Sequence, residues 1–202
     1  MAAPQPPVGA TAARTQYDLE RLLAVAVEVF IERGYDGTSM EDLARATGIS
    51  KSSIYHHIAS KEQLLRLALE RALGAVFAAT EEPAATSGPA VQRLEYVIGR
   101  MVEVLAAELP YVTLLLRVRG NTATERWALD RRREFDRFMR RLFVAAAEAG
   151  DVRQDVDIAL TERLVTGMIN SVTEWYRPGR VTVDELKETV VTLTMGSLRS
   201  AT

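Results

Sequence analysis

The sequence has no cysteine, only two histidines and three lysines, and no stretch approaching the length of a membrane span. Without thiols there can be no disulfide and no thiolate metal site, and a reducing cytoplasm is the fitting compartment. The two histidines, His56 and His57, are neighbours. On a helix, adjacent side chains diverge by about 100°, a poor geometry for chelating one ion. No run reaches about 18 uncharged apolar residues, and no charged N-terminal segment precedes an apolar one, so neither membrane spanning nor export is expected. HExxH, GxSxG, GxGxxG and phosphate-loop patterns are also missing. Asp and Glu fall mostly on polar helix faces. No catalysis, resident cofactor or metal is expected.

What is present is an apolar pattern of helical period. The 202 residues are 48% hydrophobic, enough for one or two compact domains with a sizeable core. Apolar positions recur every three or four residues and nowhere alternate, so the fold class is all-α. Formal net charge is −2, so a polyanionic partner would have to be met by local positive charge.

One such locality is Thr38–Lys61, TSMEDLARATGISKSSIYHHIASK, with no acid between Leu43 and Lys61. Thr38 or Ser39 caps a short helix whose apolar face is Met40, Leu43, Ala44 and Thr47. Gly48 ends it in a left-handed cap, and Ile49 plugs the turn. Ser50 caps a second helix with Ile54 and Ile58 inward and Lys51, Ser52, Ser53, His56 and His57 outward, Tyr55 lying at the edge. Two short helices of this kind, the second polar near its N-terminus, suit the major groove of DNA and read as a helix-turn-helix. Before them, Leu19, Leu22, Leu23, Ala26, Val29 and Phe30 predict a helix over Tyr17–Arg33, ended by Gly34. After them, Ser60 caps a long helix over Lys61–Thr80.

Gly34–Leu65, GYDGTSMEDLARATGISKSSIYHHIASKEQLL, resembles the signature of TetR-family transcriptional regulators, with Ile58 where that family usually has Phe. The resemblance implies an N-terminal three-helix helix-turn-helix domain and a C-terminal helical domain for ligand binding and dimerisation. It divides the chain into a disordered arm (1–15), a DNA-binding domain (16–62) and a ligand-binding and dimerisation domain (63–202). It assigns Thr38, Tyr55, His57 and Lys61 to phosphates, places Lys51, Ser52, Ser53 and His56 within reach of base edges, and counts Ser39 with the DNA-facing set. The implied partners are a palindromic double-stranded operator, a small-molecule effector and a second copy of the chain. The rival from another class is a helical adaptor that contacts protein instead of DNA.

Beyond a loop at Glu81–Pro89, helices are expected over Val91–Ala107, Tyr111–Val118, Thr124–Ala149, Asp157–Tyr176 and Thr182–Leu198. The last is opened by a Thr182/Glu185 capping box. The final two helices show apolar residues on more than one face, and in TetR-like proteins they form a four-helix bundle with their symmetry mates. Val172 and Leu193 are expected on the outward face.

Between Arg117 and Arg141 lie nine arginines against four acids, a net of +5. They form either a solvated face or an anion-binding surface beside a pocket. Four-residue steps put Arg131 between Trp127 and Phe135, and Arg119 beyond Leu115, on apolar faces where a charge needs a partner. Asn170 and Thr173, with Thr166, make a polar strip on an apolar helix. Asn170–Gly179, NSVTEWYRPG, is similar to the C-terminal segment of TetR-like regulators that sense acyl-coenzyme A thioesters. Such a thioester has an apolar acyl part, for which Met101, Leu105, Leu115, Phe135, Phe138 and Met168 are candidates, and charged phosphates, for which Arg119, Arg131 and neighbouring arginines are. A neutral hydrophobic or aromatic ligand fits the apolar residues equally.

Overall fold

The structure, a computed structural model, describes residues 8–199, and these contain ten helices and no strand beyond two isolated bridges. The helices are α1 (Val8–Arg33), α2 (Met40–Thr47), α3 (Lys51–His57), α4 (Lys61–Glu81), α5 (Pro83–Thr86), α6 (Ala90–Ala107), α7 (Leu109–Arg117), α8 (Ala123–Glu148), α9 (Ile158–Trp175) and α10 (Val183–Leu198). The chain forms two compact units that meet in sequence between Glu70 and Arg71.

In the first unit α1 packs on both α2 and α3. Leu22, Ala26, Val27 and Phe30 of α1 are buried, as are Leu43 of α2 and Ile54 of α3. Local chemistry sets the ends of the short helices. Ser39 and Asp42 form a capping box at the start of α2, and Gly48 closes it at φ 71°, where a side chain would be strained. Ser50 caps α3 by accepting the Ser53 amide. Ile58 is buried, so the aliphatic side chain fills its inward position, whereas Ile49 stands 38% exposed in the turn it was expected to plug.

The start of the first helix differs from expectation. Helix α1 begins at Val8, not Tyr17, because the alanines at 10, 12 and 13 propagate a helix well. Of the expected arm 1–15, residues 1–7 lie outside the described residues. The first compact unit runs on to Glu70 and takes in Leu64, Leu65, Ala68 and Leu69, fully buried in the first turns of α4.

In the second unit α6 is central, packed against α8, α9 and α10. Its Leu94, Val97, Ile98 and Val102 are almost free of solvent. The expected loop at 81–89 contains one turn of helix, α5, with Pro83 in its first turn, where a missing N–H costs nothing. Capping boxes at Thr122/Glu125 and Thr182/Glu185 start α8 and α10, and Asp157 caps α9. Glu103 of α6 accepts from Lys187 of α10 at 2.6 Å, and the lysine stem crosses α6 at Gly99, 3.4 Å from where a Cβ would stand. Val172 is 2% exposed and belongs to the subunit core, contrary to expectation. The outward apolar residues are Leu160, Leu164, Trp175 and Leu193, each more than half exposed.

Candidate DNA interface and effector cavity

The outer face of α3 carries Lys51, Ser52, Tyr55 and His56 in solvent, with Ser53 and His57 partly covered. The serine hydroxyls of Ser52 and Ser53 lie 2.8 and 2.9 Å from that of Ser50, which orients them at the N-terminal end of the helix. Lys51 pairs with Glu41 of α2, a contact that lowers the Glu41 pKa, chiefly through the lysine hydrogen bond. Both partners are exposed, so a phosphate can take the place of Glu41 on the lysine. His57 Nδ1 is enclosed with no hydrogen-bond partner among the described residues.

Three residues of the expected DNA-facing set have other engagements. Thr38 is buried and donates its hydroxyl to Gly34 O at 2.7 Å. Ser39 spends its hydroxyl on the capping box with Asp42. Lys61 directs its ammonium at the Tyr35 and Thr38 carbonyls. The sequence signal for the first two was present, since capping and DNA contact use the same residue types.

The second unit contains a partly open cavity of about 290 Å³ between α4, α6, α7, α8 and α9. Val76, Met101, Leu115, Phe135, Met139 and Ile169 supply its apolar wall, and Asn170 and Thr166 polar points. Its charged wall is Arg132, Asp136, Arg140, Glu162 and Arg163. The Glu162 side chain is 3% exposed, with its nearest cation, Arg140, at 3.8 Å. Burial, and then the Asp136 charge, push its carboxyl above the ordinary value. Asp136, though more open, is also raised, chiefly by desolvation, and burial lowers Arg132. Among the described residues, the Arg132 guanidinium hydrogen-bonds only the Leu115 carbonyl, at 3.4 Å. Arg140 also lines a shallow concave surface of α8 with Arg137, Arg141 and Glu148.

Of the expected ligand residues, Met101, Leu115, Phe135 and Asn170 line this cavity. Leu105 is buried elsewhere in the core, and Phe138 stacks beside Phe135 at 6.3 Å. Thr173 turns its hydroxyl to Asn170 O, and Met168 and Trp127 are partly exposed outside the lining. Arg119 is exposed. Arg131 pairs with Glu134 and lies 3.9 Å over the Phe77 ring, outside the lining. The inward arginine is its neighbour Arg132. Steps of four residues drift by about 40° each around a helix, and the buried line of α8 follows the 3.6-residue period instead. That line runs through Ala128, Phe135, Met139, Leu142 and Ala146, with Arg132 between the first two. Combining steps of three and four would have found Arg132 and Met139.

Residues 22–68 match the model of bacterial regulatory proteins of the tetR family, and residues 87–198 that of the tetracyclin repressor-like C-terminal domain. SCO3833, a member of the TetR transcriptional regulator family from Streptomyces coelicolor A3, is 62% identical, covering 89% of this chain and 91% of its own at a TM-score of 0.84. The HTH-type transcriptional repressor KstR2 of Rhodococcus jostii (strain RHA1) is 29% identical over 96% of this chain and 97% of its own. AibR, solved in complex with isovaleryl coenzyme A and operator DNA, is 23% identical over 87% of this chain and 97% of its own, at a TM-score of 0.72, and shares the fold. Both the helix-turn-helix unit and the helical domain after it match models of one family, and the chain belongs to the TetR family of DNA-binding transcriptional regulators.

Proposed function

We propose that the protein is a cytoplasmic, ligand-released repressor that binds a palindromic operator as a homodimer. The observation that carries the effector half is a cavity lined by apolar side chains together with Arg132, Arg140 and Arg163, and with Asp136 and Glu162. KstR2, similar along nearly its whole length, is named a repressor, which supports the sign of regulation. Leu160, Leu164 and Leu193, exposed on the last two helices, are the patch for a second copy. Two DNA-binding units would then enter major grooves about 34–36 Å apart on one face of the duplex. Lys51, Ser52, Ser53 and His56 would read base edges, while Tyr55, His57 and the Thr38–Ser39 segment approach phosphates.

The effector we infer is a coenzyme A thioester with a compact acyl group. A volume of about 290 Å³ is at the small end for ligand pockets and cannot enclose a whole coenzyme A. It suits an acyl group and the thioester, with the phosphates outside on Arg137, Arg140 and Arg141. Arg140 borders both places. AibR with isovaleryl coenzyme A supports the capacity of the fold for this class. The test is operator release by acyl-coenzyme A thioesters, free acids and coenzyme A alone. Release by a thioester at concentrations at least about tenfold below its free acid, weakened in Arg140→Ala, is expected. Equal release by the free acid would overturn the thioester reading and leave a simple apolar acid or neutral ligand. For the dimer, Leu164→Arg with Leu193→Arg should sediment as a monomer that no longer retards the operator.

A further inference from the structure

We propose that Glu162 is a specificity residue of the effector cavity, and that its carboxylate accepts a hydrogen bond from a hydroxyl on the bound acyl group. The effector is thereby narrowed to a thioester of a short hydroxylated acid. The inference rests on the effector being a coenzyme A thioester, and adds the chemistry of the part that enters the cavity.

Glu162 stands in the second turn of α9 and lines the cavity, its side chain 3% exposed. Phe135, Met139 and Ile169 border the same space. An ionised carboxylate has room for about four hydrogen bonds. Among the described residues Glu162 accepts one, from the Thr166 hydroxyl to Oε1 at 3.3 Å, which is long for an O–H donor. Its Oε2 has Arg140 at 3.8 Å, beyond hydrogen-bond reach, and Arg140 is the one ion-pair partner among those residues. Arg132, on the same cavity, donates to the Leu115 carbonyl instead. Burial, and then the Asp136 charge, push the Glu162 carboxyl above its ordinary value, the response of a carboxylate short of donors.

Glu125 is the contrast within the same unit. It is buried too, but its Oε2 accepts the Thr122 amide at 3.0 Å and its Oε1 the Arg119 amide at 3.3 Å, so both oxygens serve the start of α8. Glu162 has no such duty, because Asp157 caps α9. A saturated acyl chain in the cavity would displace water and leave Oε2 facing hydrocarbon. A hydroxyl would supply the donor in a charge-assisted bond, whereas a keto group would set a second acceptor against the carboxylate. A site that takes a hydroxyl also rejects the analogue lacking it more strongly than an apolar wall rejects a misfit.

The experiment titrates the protein–operator complex with butyryl-, 2-hydroxybutyryl-, 3-hydroxybutyryl- and acetoacetyl-coenzyme A and with the four free acids. It uses the parent, Glu162→Gln and Glu162→Leu. At least one hydroxylated thioester should release the operator at a concentration about tenfold or more below butyryl-coenzyme A, with acetoacetyl-coenzyme A no better than butyryl. In Glu162→Leu the order should invert, butyryl becoming the more effective. Glu162→Gln keeps an acceptor oxygen without the charge and should retain part of the preference. A side chain that merely joined α8 to α9 would shift every ligand alike and leave the ratio untouched. A ratio near one in the parent, or the parent's ratio preserved in Glu162→Leu, would overturn the proposal. Acetoacetyl-coenzyme A matching the hydroxylated compounds would overturn it too, marking the carboxyl as a donor. If the free acids acted as readily as their thioesters, the thioester reading would fail, while the ratio of hydroxylated to plain acid still decided the role of Glu162. Were no compound to release the operator, the same ratios are read from the melting midpoint of the protein alone. No shift there with either hydroxylated compound, as thioester or acid, sinks the proposal.

Discussion

The two units use the same charged residue types in opposite ways. In the DNA-binding unit the carboxylates are capping or pairing groups at the surface. Asp42 is held below its ordinary value, chiefly by the Ser39 hydroxyl and amide, and Glu41 by Lys51. In the effector unit Glu162 and Asp136 face a void and are pushed up by loss of water. A surface that must meet a polyanion gains from charges already solvated and readily exchanged. A cavity gains from polar groups that are under-satisfied until a ligand arrives, because there the ligand's hydrogen bonds count most. The first unit thus keeps its charges exchangeable at the surface, whereas the second holds carboxylates against a cavity, Glu162 there accepting from the Thr166 hydroxyl at 3.3 Å.

The largest way to break the comparison is to empty the first unit's core. Leu43→Ala removes a side chain with no exposure and should cost about 3 kcal/mol, seen as a lower melting midpoint and lost operator retardation. The next largest change has the opposite sign. Glu162→Leu should raise stability by about 1–2 kcal/mol, because an apolar group replaces a buried charge and the half-exposed Arg140 is not stranded. The same variant should blunt effector release. If it melted lower than the parent, Glu162 would be a well-satisfied structural ion and not a poised cavity group. A smaller loss, about 1 kcal/mol, is expected for Ser50→Ala, which removes the cap of α3. Operator affinity should fall with it while the effector concentration for release stays constant.

The finest test is the sign of pH dependence. Glu162 has a raised folded-state pKa, so its carboxyl favours the folded state below the ordinary value of 4.5, and this contribution is lost as pH rises towards the folded value. Glu162→Gln should therefore match the parent in acid and become relatively more stable as pH rises above about 4.5. Asp42 is depressed, so its contribution is present above the ordinary 3.8 and lost as pH falls through the folded value. Asp42→Asn should be the less stable partner at neutral pH, with the gap closing in acid. Chemical denaturation of parent and variants between pH 3 and pH 7 reads both. Equal signs for the two would erase the contrast between the units.

Helix extents and ends were legible along the chain because their causes are local. The 3.6-residue period, Gly48 after α2, Ser50 before α3, and the Thr182/Glu185 box all act within one or two turns of where they stand. Hence α6, α8, α9 and α10 fall within a residue or so of the ranges that the pattern predicts. The helix-turn-helix was the clearest case, since its caps and its two inward isoleucines agree. α5 escaped notice because a single turn of Pro-Ala-Ala-Thr has no period to show.

The facing of individual charges was settled by packing. Arg131 and Arg132 are adjacent and chemically identical, and which of them meets the cavity depends on the rotation of α8 against α6 and α9. Val172 and Leu193 are both apolar positions on two-faced helices, yet one is core and the other is in solvent. Lys61 and Lys51 read alike beside the recognition helix, but one ammonium is held by carbonyls 23 and 26 residues away in sequence. A helix is written by hydrogen bonds four residues apart, whereas the partner of a long charged side chain is written by whatever the fold brings within reach of its tip.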